Sequence, residues 1–142
     1  REFISDLLVG IVSPSHPFAS RKSIALKKLN GQPLILREQG SSPRRIVDEI
    51  LKKKGISPLI IMESASTSAI KKMVEAGMGM AILSRQAVKE EVRAKSLREL
   101  PFTDVEIAYR FYLIYHKDKY FSRALKAFMN VAMEIAPRLS AD

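Results

Sequence analysis

Apolar residues along this chain fall into two rhythms. Short unbroken runs at Leu7–Val12, Leu59–Met62 and Met80–Leu83, with Pro33–Glu38, read as strands. Between them the apolar positions take helical spacing: Ile46, Val47, Ile50 and Leu51; Ile70, Met73 and Val74; Val88 and Val92; and finally Leu125, Phe128, Met129, Ala132 and Met133. Ile24–Leu29 supplies one or two helical turns, ended by Asn30-Gly31, and residues 97 to 101 bring a short strand. Val105 to His116 is the longest extended segment expected, with Ile107, Tyr109, Phe111, Leu113 and Tyr115 alternating onto one face. The last helix is expected from about Ser122 to near Pro137.

Polar and special residues punctuate this pattern. Ser13-Pro14-Ser15-His16-Pro17 breaks the first strand with two prolines. Ser42 is the expected N-cap of the next helix, with Pro43 at its first position, and Lys52-Lys53-Lys54-Gly55 is a stop signal. The following helix opens at Ser66-Thr67 and stops at Gly77, and Ser84 caps the one after. Gly77-Met78-Gly79 ends a helix and lacks a third glycine, so it is no dinucleotide fingerprint. Gly79 is expected to allow a close backbone approach. Strands alternating with helices imply a layered α/β sheet, largely parallel. The first strand and the Val105 strand bracket the alternating unit and are expected to cross together between two lobes.

Length and composition narrow the class. With 142 residues, 46% of them hydrophobic, the chain can close one real core. It has no cysteine, which removes disulfide frameworks and thiolate metal sites. No apolar run approaches a membrane span, and Arg1–Asp6 does not have the order of a signal peptide. The chain does not begin with Met and opens close to an apolar strand, so a fragment of a longer protein is expected. The net charge of +9 favours anionic partners. Its cations are scattered in pairs such as Arg44-Arg45 and Lys71-Lys72, and no helix carries a dense basic face of the kind that grips nucleic acid.

The chemistry that stands out is at the helix starts. Three helices open on small hydroxyl residues, Ser42-Pro43, Ser66-Thr67 and Ser84, and none has an acid in its first turn. The positive end of each dipole is therefore not neutralised, and helix starts follow strand C-terminal ends, where ligands bind in α/β sheets. N-capping is the ordinary job of any one such serine; the first two helix starts taken together favour a site for a small anionic or polar ligand. Elsewhere the residues suit structure better than chemistry. His16 sits in a proline turn and His116 at a strand end, outside any metal-ligand spacing. Asp48-Glu49 and Glu90-Glu91 are adjacent on helices and point apart, as solvated faces do. Met62, Met73, Met80, Met129 and Met133 read as core. No serine lies in a nucleophile elbow. No catalytic residue, metal site or cofactor is expected, and the chain is read as not an enzyme.

The order of the pieces resembles the effector-binding domain of LysR-type transcriptional regulators. The matching residues are Ser15–Ala19 after the first strand, Leu29-Asn30-Gly31-Gln32-Pro33-Leu34-Ile35, Arg37-Glu38-Gln39-Gly40-Ser41-Ser42, Glu63-Ser64, Val74–Leu83 and Ser122–Phe128. They cover nearly the whole chain. The resemblance implies a periplasmic-binding-protein-like α/β fold of two lobes with the effector in the cleft between them. Residues 1 to 13 would form the first crossover strand, 14 to 104 a complete second lobe, and 105 to 142 the return crossover and C-terminal helix of a first lobe present only in part. By position, the family's effector contacts in this lobe fall on Ser41, Ser42, Ser66 and Thr67.

What the resemblance further implies is a cytoplasmic, ligand-sensing regulatory domain. It would bind a small anionic metabolite and act within a homo-oligomer, dimer or tetramer. DNA would be reached only through a winged helix-turn-helix that this chain does not carry. The early part of the first lobe, with its hydroxyl-rich ligand loop, is also missing from the pattern. The alternative is a lobe of a periplasmic solute-binding protein of a transport system, which shares the fold. An enzyme of the same architecture should show a converging acid, base or nucleophile.

Overall fold

The computed structural model describes residues 1–140. The chain forms two units, one of Leu7–Ile107 and one of Arg1–Asp6 with the segment from Ala108 onward. In chain order the elements are β1 (Glu2–Val12), a 3-10 turn (Leu26–Leu29), β2 (Pro33–Arg37), α1 (Ser42–Lys54), β3 (Leu59–Ser64), α2 (Thr67–Glu75), β4 (Met80–Ser84), α3 (Arg85–Arg93), β5 (Arg98–Leu100), β6 (Ile107–Tyr112) and α4 (Arg123–Ser140).

In the larger unit the strands run in the order β3-β2-β4-β1-β5. β2 is parallel to both β3 and β4, as strand–helix–strand units require. β1, however, lies antiparallel to β4 and to β5. The expectation of a largely parallel sheet is corrected to a mixed one. β1 lies outside the strand–helix–strand units that run from β2 to β5, and its link to β2 carries only a 3-10 turn, so no crossover helix on that link sets its direction. β4 is buried over Met80–Leu83 and β2 over Leu34–Leu36, the continuous apolar pattern of strands covered on both faces. Val9, Ile11, Ile35, Ala81 and Leu83 of the sheet meet Ile70 and Val74 of α2, Val88 of α3 and Leu97 in one core.

Helices α1, α2 and α3 end in the same way. After α2 the Gly77 N–H donates to the Val74 carbonyl and the Met78 N–H to that of Met73, with Gly77 at φ 76°. Gly55 does this after α1 (φ 64°), bonding back to Lys52 while Ile56 bonds to Leu51. After α3 the same turn is made by Lys95 at φ 62°, a left-handed residue without the freedom of glycine. Gly79 serves packing: a Cβ there would stand 2.8 Å from the Pro33 carbonyl oxygen.

β3 is an edge strand, and Leu59, Ile60, Ile61 and Met62 are each exposed. The expectation that Met62 is core is therefore corrected: the strand's position at the sheet edge leaves its apolar run uncovered. Met80 is fully buried, Met129 is buried, Met73 packs against the core and Met133 is half-buried.

In the smaller unit β6 pairs with β1. β6 is six residues long and β1 eleven, so β1 is the longest strand, not the Val105–His116 segment. After Tyr112, Leu113 exchanges two bonds with Arg1, its N–H donating to the Arg1 carbonyl and its carbonyl accepting from the Arg1 nitrogen, and the next residue, Ile114, is 90% exposed. Ser122 Oγ accepts from the Leu125 N–H at the start of α4. α4 continues through Pro137 to Ser140, past its expected end. Pro137 stands inside the helix, where it removes one backbone donor and crowds the carbonyl four residues earlier, although its fixed φ is helical. No helix among the described residues is long and apolar enough to cross a membrane.

Candidate functional site at two helix starts

The larger unit sets two of its helix starts side by side. β2 and β3 run parallel and end level, with Arg37 opposite Ser64. The Glu38 N–H continues the ladder to the Ser64 carbonyl at 3.2 Å. Each strand then delivers a short loop and a helix, α1 after β2 and α2 after β3. The level register is what places the two openings together at one sheet edge.

Each opening is capped by a serine one residue before the helix. Ser41 Oγ accepts from the Arg44 N–H at 3.4 Å and Ser66 Oγ from the Ala69 N–H at 3.2 Å. The cap of α1 is therefore Ser41, and the assignment of Ser42 to that position is corrected: Ser42 is the first helical residue and Pro43 the second. Pro43 tolerates either place because both lack an intrahelical acceptor for an N–H. Ser41 also donates to the Glu38 carbonyl at 3.0 Å, so its hydroxyl is engaged on both sides. Ser42 is exposed, and its hydroxyl has no partner among the described residues. The two caps satisfy only the third N–H of each helix. The N–H groups of Ser42, Thr67 and Ser68 have no partner among the described residues and lie at the positive ends of their helices. Neither helix has an acid in its first turn.

Charged residues that the sequence pattern did not single out bind this edge together. Arg37, at the end of β2, grips Glu38 with two nitrogens, Nε to Oε2 at 2.9 Å and Nη2 to Oε1 at 3.1 Å. Its Nη1 donates to Thr67 Oγ1 at 3.3 Å. The hydrogen bond from Arg37 holds the Glu38 carboxyl below the usual carboxylate range. Arg44 is only 5% exposed and donates to the Arg37 carbonyl at 2.9 Å, to Asp48 at 2.9 Å and to Glu63 at 2.8 Å. Burial works against its charge, but the bonds to Glu63 and Asp48 outweigh burial and raise its pKa. Arg44 shares the buried stripe of α1 with Val47 and Leu51, and an arginine on an apolar stripe is the signal that could have found it. Asp48 is accordingly a partner of Arg44 rather than a wholly solvated acid.

The other sequence candidates lie elsewhere. Ser84 caps α3, accepting from the Ala87 N–H at 3.4 Å, beside a strand on the far side of β2. His16 Nδ1 accepts from the Phe18 N–H at 3.0 Å and its ring packs edge-on against Phe18, while burial lowers its pKa. It is a neutral turn-fastening histidine. An open depression of about 470 Å³ follows the outer face of α1 past Arg45, Asp48 and Lys52, and its lining includes none of Ser41, Ser42, Ser66 and Thr67. Among the described residues no group of His, Cys, Asp or Glu is arranged to hold a metal ion.

The class this fold and edge define is that of regulatory domains built like periplasmic binding proteins. The chain belongs to the LysR substrate-binding domain family, whose description matches residues 1–136. It is 34% identical over 130 residues to the HTH-type transcriptional activator CmpR of Synechocystis sp., covering 92% of this chain and 43% of that protein. It is 33% identical over 128 residues to the uncharacterized HTH-type transcriptional regulator YeiE of Escherichia coli, covering 90% of this chain and 43% of that one. The chain thus spans under half the length of these curated relatives. Among solved structures, the Synechocystis CcmR regulatory domain in complex with 2-PG superposes with a TM-score of 0.87 at 27% identity, covering 96% of this chain and 65% of that one. The effector-binding domain of QuiR in complex with shikimate shares the fold, with a TM-score of 0.78 at 22% identity over 96% of this chain and 64% of that one.

Proposed function

We propose that this chain is the effector-sensing part of a LysR-type transcriptional regulator and that its ligand is a small organic anion. The observation that carries the reading is the level pair of strand ends at Arg37 and Ser64, which sets two acid-free helix starts at one edge. The hydroxyls of Ser42, Ser66 and Thr67, with the backbone N–H groups of Ser42, Thr67 and Ser68, would hold the anion. Ser41, both of whose hydrogen-bonding roles are taken, shapes the loop that presents them. Family membership favours a regulator over a transport lobe, because the matched relatives are HTH-type transcriptional regulators. The reading is of a sensor without turnover, working in the cytoplasm within a homo-oligomer whose DNA-binding heads lie on other residues than these. Effector binding acts by favouring one of two states of that oligomer.

The test uses 2-PG, shikimate and inorganic phosphate as probes, titrated by calorimetry against the chain and its Ser42→Asp variant. A carboxylate at the first position of α1 complements the helix dipole, so the thermal midpoint should hold or rise, while an anion is repelled. Saturable binding to the parent chain and its loss in Ser42→Asp is expected. Binding that survives Ser42→Asp would place the ligand elsewhere.

A further inference from the structure

Thr67 and Arg37 are joined in a way that fixes what the ligand must offer. A guanidinium has only donors, so in the 3.3 Å contact the Thr67 hydroxyl oxygen is the acceptor. Thr67 is the first residue of α2, with no preceding helical turn to supply a carbonyl for its proton. That proton is therefore left to point away from Arg37. Glu38 holds the arginine in place: it takes Nε and Nη2 in a two-pronged pair, which orients the guanidinium plane and leaves Nη1 for Thr67. The same pair balances the arginine's charge, so Arg37 is better suited to orient a neighbour than to act as a bare counter-ion.

We propose that Arg37 is a positioning residue of the effector site, acting through Thr67: it makes the threonine hydroxyl a committed donor, so the site selects a ligand presenting an unprotonated carboxylate or phosphate oxygen there. This rests on the site proposed above. Three features converge on it. The hydroxyl is polarised by an adjacent cation. The backbone N–H groups of Thr67 and Ser68 beside it are donors as well. The two nearby acids are each engaged by an arginine, Glu38 by Arg37 and Glu63 by Arg44.

A double-mutant cycle tests it, with 2-PG as probe and inorganic phosphate as a second. Thr67→Val and Arg37→Met are each expected to weaken binding about tenfold, the loss of one hydrogen bond to a charged group. Together they should weaken it by little more than either alone, because one removes the hydroxyl donor and the other the contact that orients it. Thr67→Ser should stay within about threefold of the parent chain, but only while Arg37 is present. Full additivity would mean that Arg37 meets the ligand directly, and unchanged affinity in Arg37→Met would mean it is merely structural; either overturns the proposal and leaves the site standing. Absence of binding of both probes by the parent chain overturns the site and this inference with it.

Discussion

The two units of this chain use their apolar residues to opposite ends. In the unit Leu7–Ile107, sheet and helices close on one another, and Ile11, Ile35, Ile70, Val74 and Val88 are fully buried. In the unit formed by Arg1–Asp6 and the segment from Ala108, α4 buries Met129, Ala132 and Ala136 but leaves Phe128, Val131, Ile135 and Leu139 exposed along another face. Phe128 is 61% exposed and Tyr120 83%. A hydrophobic stripe at helical spacing thus marks a helix without saying how much of its circumference will be covered. Closure needs a second layer on each face, and only the larger unit has sheet and helices enough to provide it.

The largest effect should come from setting the two cores against each other. Ile35→Ala leaves a cavity in the larger unit and should cost about 3 kcal/mol, whereas Phe128→Ala removes an exposed ring and should cost under about 0.5 kcal/mol, both read from urea unfolding midpoints. Equal costs would show that the exposed face of α4 is covered in solution.

Charge sharpens the contrast on a smaller scale. Arg44→Met strips three partners from a buried guanidinium and should cost about 2 kcal/mol. Arg110→Met removes a 3.8 Å contact to Glu2 between groups half in water and should stay within about 0.5 kcal/mol. A cost for Arg110→Met matching that of Arg44→Met would break the distinction.

The smallest effect is acid sensitivity in the larger unit. Glu38 is held below the ordinary carboxylate range by Arg37, Glu75 by Lys72, Glu91 by Lys71 and Asp104 by the Leu26 N–H. Between their lowered and ordinary values the unfolded chain binds more protons than the folded one, so stability rises with pH across that window. It is complete above the ordinary carboxylate values and lost as pH falls through the lowered ones. Asp104→Asn and Glu91→Gln should each flatten the acid limb of unfolding midpoint against pH. An unaltered limb would remove these groups from its cause.

Local signals were the readable part of the sequence. The alternation of apolar runs and amphipathic stretches located each strand and helix, because burial on two faces or one leaves that mark directly in composition. Glycine positions announced the ends of α1 and α2, but the same turn after α3 is made by Lys95, which carries no such signature. What the pattern could not show was pairing. The antiparallel seat of β1, the exposure of β3 and the early end of β6 depend on which neighbour a strand finds, and that is decided far along the chain. At the candidate site the serines and threonine were legible from helix-start chemistry. Arg37 and Glu38 entered only as part of the family resemblance and carried no role there, since a charged pair at a strand end has one only once Thr67 is brought beside it.

The two glycines of Gly77-Met78-Gly79 have unequal futures under mutation. Gly77 has a left-handed backbone and open space around its Cα, so asparagine is a neighbour in sequence space that selection can sample at modest cost. At Gly79 the obstacle is the Pro33 carbonyl, which no choice of side chain avoids. A saturation library should return a short menu at the first position and a single letter at the second.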